Sequence, residues 1–457
     1  MGNVFTQSIW GDEGFSAILS MKPLPEIIKT IARDTSPPLW NIFEWLMFNT
    51  LGSSEIHIRS LSLAFFLGTV FFAYKIGAFL FNKKTALWAG LLTLLNPFFF
   101  TYAFEGRMYS IMSMGVAGSM YYFLRLFYSE DEVEKKDKFL YVFFTLWALY
   151  SHHFAIFALF VQGIWFLWEL VIGKRARAKK LFKLFLITGL LYTPWLYPLY
   201  TQTRQVAGGF WLGTPDIKDL RNLIYEYIAE GIKNDKLVLP NLNVALYQAS
   251  LYLVYLTLVF RKWTSRFKKS VFLAFWFLGP ILMTYFISQK FQSIFFNRYI
   301  LYVIPAAMII IASAKRRVSL IPLSLIVIIW GMINYDYFTH PKKLPFRELA
   351  IFVKQNMRQG DYIINWNSNG AHHIWETKYY GIPGPIYVPE GNLPFFVGTA
   401  LMEEGDIIRE IPDFAKRVGV VTSGPVQEVN LTGPKEIYKA AEVREFGNLK
   451  FIWYEKE

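Results

Sequence analysis

The chain has 457 residues, of which 54% are hydrophobic, 19% aromatic and only 18% charged, and it contains no cysteine. A soluble globular chain carries about a quarter charged residues, so this composition, with a mean hydropathy of +0.29, excludes an ordinary soluble enzyme. The missing cysteine excludes disulfides, thiolate metal sites and a thiol nucleophile. The net charge of +13 would suit a nucleic-acid partner, but the cations lie in short loops between hydrophobic stretches, which points to a polytopic membrane protein.

In chain order, residues 1–57 hold no hydrophobic span before Trp10. Residues 37–51 are apolar but short and carry Glu44, which predicts a helix lying along the outer membrane interface. About ten stretches near the roughly 20 residues of a bilayer crossing follow, at 58–80, 85–104, 108–128, 138–151, 154–172, 181–201, 245–260, 271–288, 299–314 and 318–336. Lys and Arg gather at 82–84, 130–138, 173–180, 261–269 and 315–317, all on one side of the alternation. The positive-inside rule makes that side cytoplasmic. The basic run at 173–180 sits between two spans and reads as an anchor to the inner leaflet, with no nucleic-acid partner expected.

The remaining segments then fall outside: 1–57, Glu105–Tyr109, His152-His153, 202–244, Lys290–Tyr299 and the tail from about 338. In the tail, 346–357 has helical periodicity, 361–364, 417–421 and 450–454 read as strands, and a helix is expected near 434–441. This is a small α/β unit without a glycine-rich phosphate fingerprint. The expected architecture is a polytopic α-helical membrane protein of about ten spans. It divides into an outer catalytic loop with juxtamembrane helices at 1–57, a transmembrane core at 58–337 and an extracytoplasmic α/β domain at 338–457.

Four polar clusters gather on the outer face. Asp12 and Glu13 follow Trp10, and Asp34 precedes Ser36-Pro37-Pro38-Leu39; carboxylates there suit a general base or a cation site, although an acidic turn in solvent has the same spacing. Arg59 opens the first span, where an arginine commonly snorkels. Glu105, Arg107 and Tyr109 sit at the mouth of two helices, where ionisable residues mark function or pair with each other. Arg298 and Tyr299, with Pro305 beyond them, offer a bidentate cation and a hydroxyl to a phosphate at a helix start, or an interfacial aromatic anchor. His152-His153 would serve as a proton shuttle or metal ligand, but no third ligand is spaced with the pair.

Taken together, the order W-x-D-E, an Asp before S-P-P-L, an Arg opening a span, E-x-R-x-Y, S-H-H-F and R-Y-x-L-x-x-x-P resembles the polytopic GT-C-type glycosyltransferases. It is most similar to the prokaryotic family-39 branch related to dolichyl-phosphate-mannose–protein mannosyltransferases, and more distantly to lipid A aminoarabinose transferases. The resemblance implies a polyprenyl-phosphate sugar as donor, used at the outer face. It assigns the Asp-Glu pair to Asp12 and Glu13, the arginine ending that loop to Arg59, and a phosphate-contacting tyrosine to Tyr299. Relatives tend to read Thr-His-Tyr-Phe where this chain reads Ser151-His152-His153-Phe154, so only His152 carries over. Relatives also have a first transmembrane helix delivering the Asp-Glu loop, which implies a segment upstream of Met1.

The expected reaction is transfer of a monosaccharide, with inversion, to an acceptor hydroxyl of a protein, lipid or envelope glycan. The leaving group is a phosphomonoester with a second pKa near 6. Its departure asks for charge stabilisation from Arg298, Tyr299, Arg59 and Arg107, supported by Glu105, Tyr109 and His152, while Asp12, with Glu13 and Asp34, supplies the base. No metal or other cofactor is expected. The rival classes are an inactive binding protein on the same fold, against which the retained acidic and basic residues count, and a transporter, against which the absence of an internal repeat counts.

Overall fold

A computed structural model describes residues 2–129, 134–172, 175–231, 240–259, 267–314, 319–368, 370–382, 384–431 and 438–456. Much of the basic sequence behind the expected sidedness, at 130–133, 173–174, 260–266 and 315–317, lies outside the described residues. Two compact units emerge: residues 1–34, 41–58 and 341–457 form one, and residues 35–40 and 59–340 form the other.

The second unit is helical. Three described helices, Glu55–Leu80, Phe267–Ser288 and Leu320–Thr339, are long and apolar enough to cross a membrane, and Ala155–Val171 is apolar but shorter. An expectation of about ten crossings therefore goes beyond what length and composition of these helices establish. The stretch at 85–104 is two helices, Lys83–Leu95 and Pro97–Tyr102. The break falls at Asn96, whose φ and ψ are −54° and 119°, because the residue before a proline is pushed out of the helical region. The Asn96 side chain then accepts from Phe99 N at 2.9 Å and caps the new helix. The stretch at 299–314 is likewise interrupted. Short turns at Asn297–Tyr299 and Leu301–Val303 precede the helix Ile304–Ala312, which starts where Pro305 can occupy its first turn.

Tyr109–Tyr128 and Lys135–Ser151 pack as a close antiparallel pair. A Cβ at Gly115 would lie 2.7 Å from Ala148 N, so glycine permits the approach, as small residues do between membrane helices. Polar side chains bind neighbouring helices together: Gln162 donates to Ser119 Oγ at 2.9 Å and accepts from Tyr141 at 2.7 Å.

The first unit contains a six-stranded sheet of order β3-β2-β1-β4-β6-β5, with β1 Asp361–Trp366, β2 Ile386–Tyr387, β3 Ile407–Ile408, β4 Arg417–Thr422, β5 Tyr438–Phe446 and β6 Leu449–Lys456. The first four strands are parallel, and β6 runs antiparallel to both β4 and β5. Both faces of the sheet are covered. Ile363, Val421, Phe451 and Trp453 pack with the helix Phe346–Asn356 on one face, while Ile364, Val418, Val420 and Ile452 enter the opposite core. This is the period-two alternation of a strand.

β1, β4 and β6 lie where strands are expected. The helix expected near 434–441 is a correction: 434–437 are outside the described residues, and 438–441 begin β5. That strand is an edge whose side chains are largely exposed, and its charged residues are typical of protected edges. Arg417 grips Asp361 through two hydrogen bonds, at 3.0 and 2.7 Å. Burial opposes ionisation of Asp361, but these bonds outweigh it and hold the carboxyl below its ordinary range.

N-terminal and C-terminal segments share this unit. Glu55 accepts from Tyr380 Oη at 2.7 Å and from Arg347 at 2.5 Å. The helix Leu39–Thr50 occupies the apolar segment at 37–51, and its Glu44 is buried. Ser16 and Ser20 each donate to Glu44 Oε2 at 2.8 Å, so hydrogen bonds offset the burial of a carboxylate.

Candidate active site

Within the second unit, one cluster assembles from four separate segments. Asn297–Tyr299 is a short turn ahead of the Pro305 helix, so Arg298 and Tyr299 do not sit at an α-helix N-terminus, and the dipole argument made from sequence does not apply to them. Aromatic packing orients them instead. The Arg298 guanidinium carbon lies 5.0 Å from the Phe296 ring centroid, 5.6 Å from Tyr109 and 6.0 Å from Tyr299. These are cation–π distances, and such stacking favours the flat guanidinium over an ammonium.

Tyr299 in turn packs 4.9 Å from Phe154, 5.2 Å from His152 and 6.5 Å from Tyr109. Phe154 is held from behind, since Tyr302 Oη donates to its carbonyl at 2.9 Å. The turn is also held from a distance. Asn96 donates to Tyr227 O at 2.8 Å, and the Tyr227 hydroxyl donates to the Asn297 carbonyl. Tyr227 belongs to a π-helical turn, Glu226–Glu230, a geometry often found at functional sites.

His152 ends the helix Lys135–Ser151 and is buried. Burial first, then the positive neighbours His153, Arg107 and Arg298, push its imidazole well below the usual range, so it is neutral at pH 7. Its Nδ1 accepts from Phe154 N at 3.2 Å, which leaves the proton on Nε2. Burial likewise lowers His153 to about 4, and its Nε2 lies 2.5 Å from Gln202 Oε1. Glu105 and Arg107 are half-buried in the turn before Tyr109, where Arg107 N donates to Glu105 O at 2.7 Å. Arg59 is completely buried; it is part of the protein interior rather than snorkelling to a surface.

Asp12, Glu13 and Asp34 belong to the first unit. Asp12 and Glu13 occupy the first turn of the helix Gly11–Ser20, where carboxylates favour the positive end of the dipole. Glu13 is fully buried and 2.8 Å from Lys343 Nζ, whereas Asp12 is half-buried. The helix is fixed by close packing: a Cβ at Gly14 would lie 2.9 Å from the Trp375 carbonyl carbon. Asp34 is buried just beyond the helix Leu24–Ile31.

Arg298, Tyr299, Tyr109 and His152 are thus brought together, with Arg107 close enough to act on His152 electrostatically. Sequence reading met Phe296 and Phe154 in its motifs without giving them a role, and missed Tyr227 and Asn96, which hold the cluster. Asn96-Pro97 was a legible signal, since that dipeptide marks a helix break. No groups of three or more metal-ligating side chains occur among the described residues.

Beside the cluster, an apolar groove of about 860 Å³ runs between the helices Ala155–Val171 and Phe267–Ser288. Ile156, Phe157 and Phe160 line one wall and Phe275, Leu278 and Phe286 the other. It reaches the cluster through one wall, where Phe157 packs 5.6 Å from Phe154.

Residues 35–197 match the family model of dolichyl-phosphate-mannose-protein mannosyltransferase. No curated protein matches the chain in sequence. Among solved structures, apo ArnT from Cupriavidus metallidurans is similar with a TM-score of 0.68 at 12% identity, over 98% of this chain and 94% of that one. The same protein bound to undecaprenyl phosphate is similar with a TM-score of 0.63 at 12% identity, over 98% and 95%. The mannosyltransferase pattern thus covers residues 35–197, and the fold is ArnT-like along nearly the whole chain.

Proposed function

We propose that the protein transfers a monosaccharide from a polyprenyl-phosphate donor to an acceptor hydroxyl on the outer face of the membrane, with inversion at the anomeric carbon. The observation that carries this reading is the Arg298–Tyr299 cluster joined to an apolar groove through the packed rings of Tyr299, Phe154 and Phe157. A polyprenyl phosphate has the same two parts, an anion and a long hydrocarbon. The guanidinium fork and the tyrosine hydroxyl suit the phosphate, and the groove suits the chain.

As the anomeric C–O bond breaks, the phosphate gains charge. Arg298, Tyr299, Arg59 and Arg107 stabilise it from a poorly hydrated setting, the preorganised arrangement that favours a transition state over a ground state. Neutral His152, protonated on Nε2, serves as a further donor, and Glu105 and Tyr109 support this turn. Asp12 accepts the proton of the attacking hydroxyl. It suits the role better than Glu13, whose carboxylate is buried against Lys343, and Asp34 supports the same loop. A monophosphate leaving group among these cations needs no metal to neutralise it.

Purified full-length protein, given a panel of polyprenyl-phosphate sugars, should release polyprenyl phosphate in step with transfer, and chelator should leave the rate within about twofold. Hydrolysis or transfer seen with nucleotide sugars alone would reject the donor class, and a loss of activity restored by divalent ion would reject metal independence.

Sidedness gives an independent test. With the basic loops inside, the tail from about 338 is outside, and protease added to intact spheroplasts should cut it. Cleavage only after lysis would reverse the topology and place Asp12 and Arg298 on the wrong face for this reaction.

A further inference from the structure

We infer that Ser423, His373 and Glu376 form a second reactive centre, a serine activated to attack small, solvent-accessible acyl esters. Strands β1 and β4 are parallel neighbours, yet the chain leaves β1 toward β2 and β3 on one side and returns to β4 on the other. The boundary between β1 and β4 is therefore a switch point, and ligands of open α/β sheets bind outside the carboxyl ends of strands there. Ser423 directly follows β4, and His373 lies in the connection leaving β1.

At this edge the three side chains form a directional chain. Ser423 Oγ is 2.9 Å from His373 Nε2, and His373 Nδ1 is 3.3 Å from Glu376 Oε1. Glu376 is only 3% exposed, while Ser423 is exposed. The Phe346 ring packs 5.0 Å from the imidazole, and Thr377 Oγ1 donates to the His373 carbonyl at 3.0 Å. The ring contact limits how the base can turn. A hydroxyl on a base that is oriented by a buried acid is the general arrangement of an activated nucleophile. None of these residues is used by the glycosyl transfer proposed above, and the inference stands apart from it.

Ser423 Oγ attacks the ester carbonyl as its proton passes to His373 Nε2. The carbonyl–alkoxy bond then breaks, the departing alkoxide takes that proton, and the acyl group stays on Oγ. Water, deprotonated by His373, attacks the acyl-serine; the carbonyl–Oγ bond breaks, Oγ recovers the proton and a carboxylic acid leaves. The amide of Gly424 donates to Thr422 Oγ1 at 3.0 Å, so the N–H that follows the nucleophile is already engaged. Loss of one oxyanion donor costs about 10²–10³-fold, and the acyl-serine is therefore expected to be long-lived.

The test uses the full-length protein in detergent. A fluorophosphonate probe, whose fluoride is displaced from phosphorus by an activated serine, should modify Ser423 ahead of other exposed serines, as read by peptide mass spectrometry. p-Nitrophenyl acetate should give a burst of about one equivalent followed by a slow phase. The burst should vanish in Ser423→Ala and slow at least about 10²-fold in His373→Gln, the scale of general-base loss, with thermal melting checked for both. Absence of preferential Ser423 labelling in the wild-type chain, or labelling unchanged in a folded His373→Gln variant, overturns the inference and leaves a structural hydrogen-bond chain.

Discussion

Asp12→Asn is expected to lower turnover by at least about 10²-fold, the usual scale for a general base, while donor lipid still binds. The substitution keeps the side chain's size and much of its hydrogen bonding, but removes the proton acceptor. The helix that carries it is held by other residues as well, since Glu13 is paired with Lys343 and Gly14 packs against Trp375. Single-turnover transfer and donor-lipid binding, measured side by side, make the check. A variant that loses donor binding, together with divalent-ion rescue of the chelated wild type, would recast Asp12 as a metal ligand and reject the metal-free base mechanism.

Arg298→Lys is expected to weaken donor binding by about 10–10²-fold, as expected for a lost charge-assisted hydrogen bond of about 1.5–3 kcal/mol, and to slow departure of the phosphate as well. Lysine keeps the charge but not the planar fork, and an ammonium stacks less well against the rings of Phe296, Tyr109 and Tyr299. Acceptor affinity should scarcely move. The two variants thus separate the halves of the proposed mechanism. Equal loss of acceptor and donor affinity in Arg298→Lys would mean that the whole turn had collapsed, and would withdraw the specific phosphate role.

The C-terminal sheet shows where sequence reading reaches its limit. β1, β4 and β6 were legible because apolar side chains lie along each run, and a two-faced core demands that. β2 and β3 are two residues each, too short to show any period. β5 is an edge strand with exposed, charged side chains, so the hydrophobic signal that marks a strand is missing from it.

By itself the sequence determined the class of the molecule, because hydrophobic run length and the placement of Lys and Arg are local quantities set by the bilayer. It also supplied the candidate residues, since carboxylates, arginines and aromatics at span ends are visible without coordinates. Tertiary structure decided which of them meet. Arg298 finds the rings of Phe296 and Tyr299 in its own turn but that of Tyr109 on another helix, and Glu13 finds Lys343 from the far end of the chain. Ser423 finds His373 only because β4 returns beside β1. Such contacts depend on the path of the whole backbone, which no local period encodes.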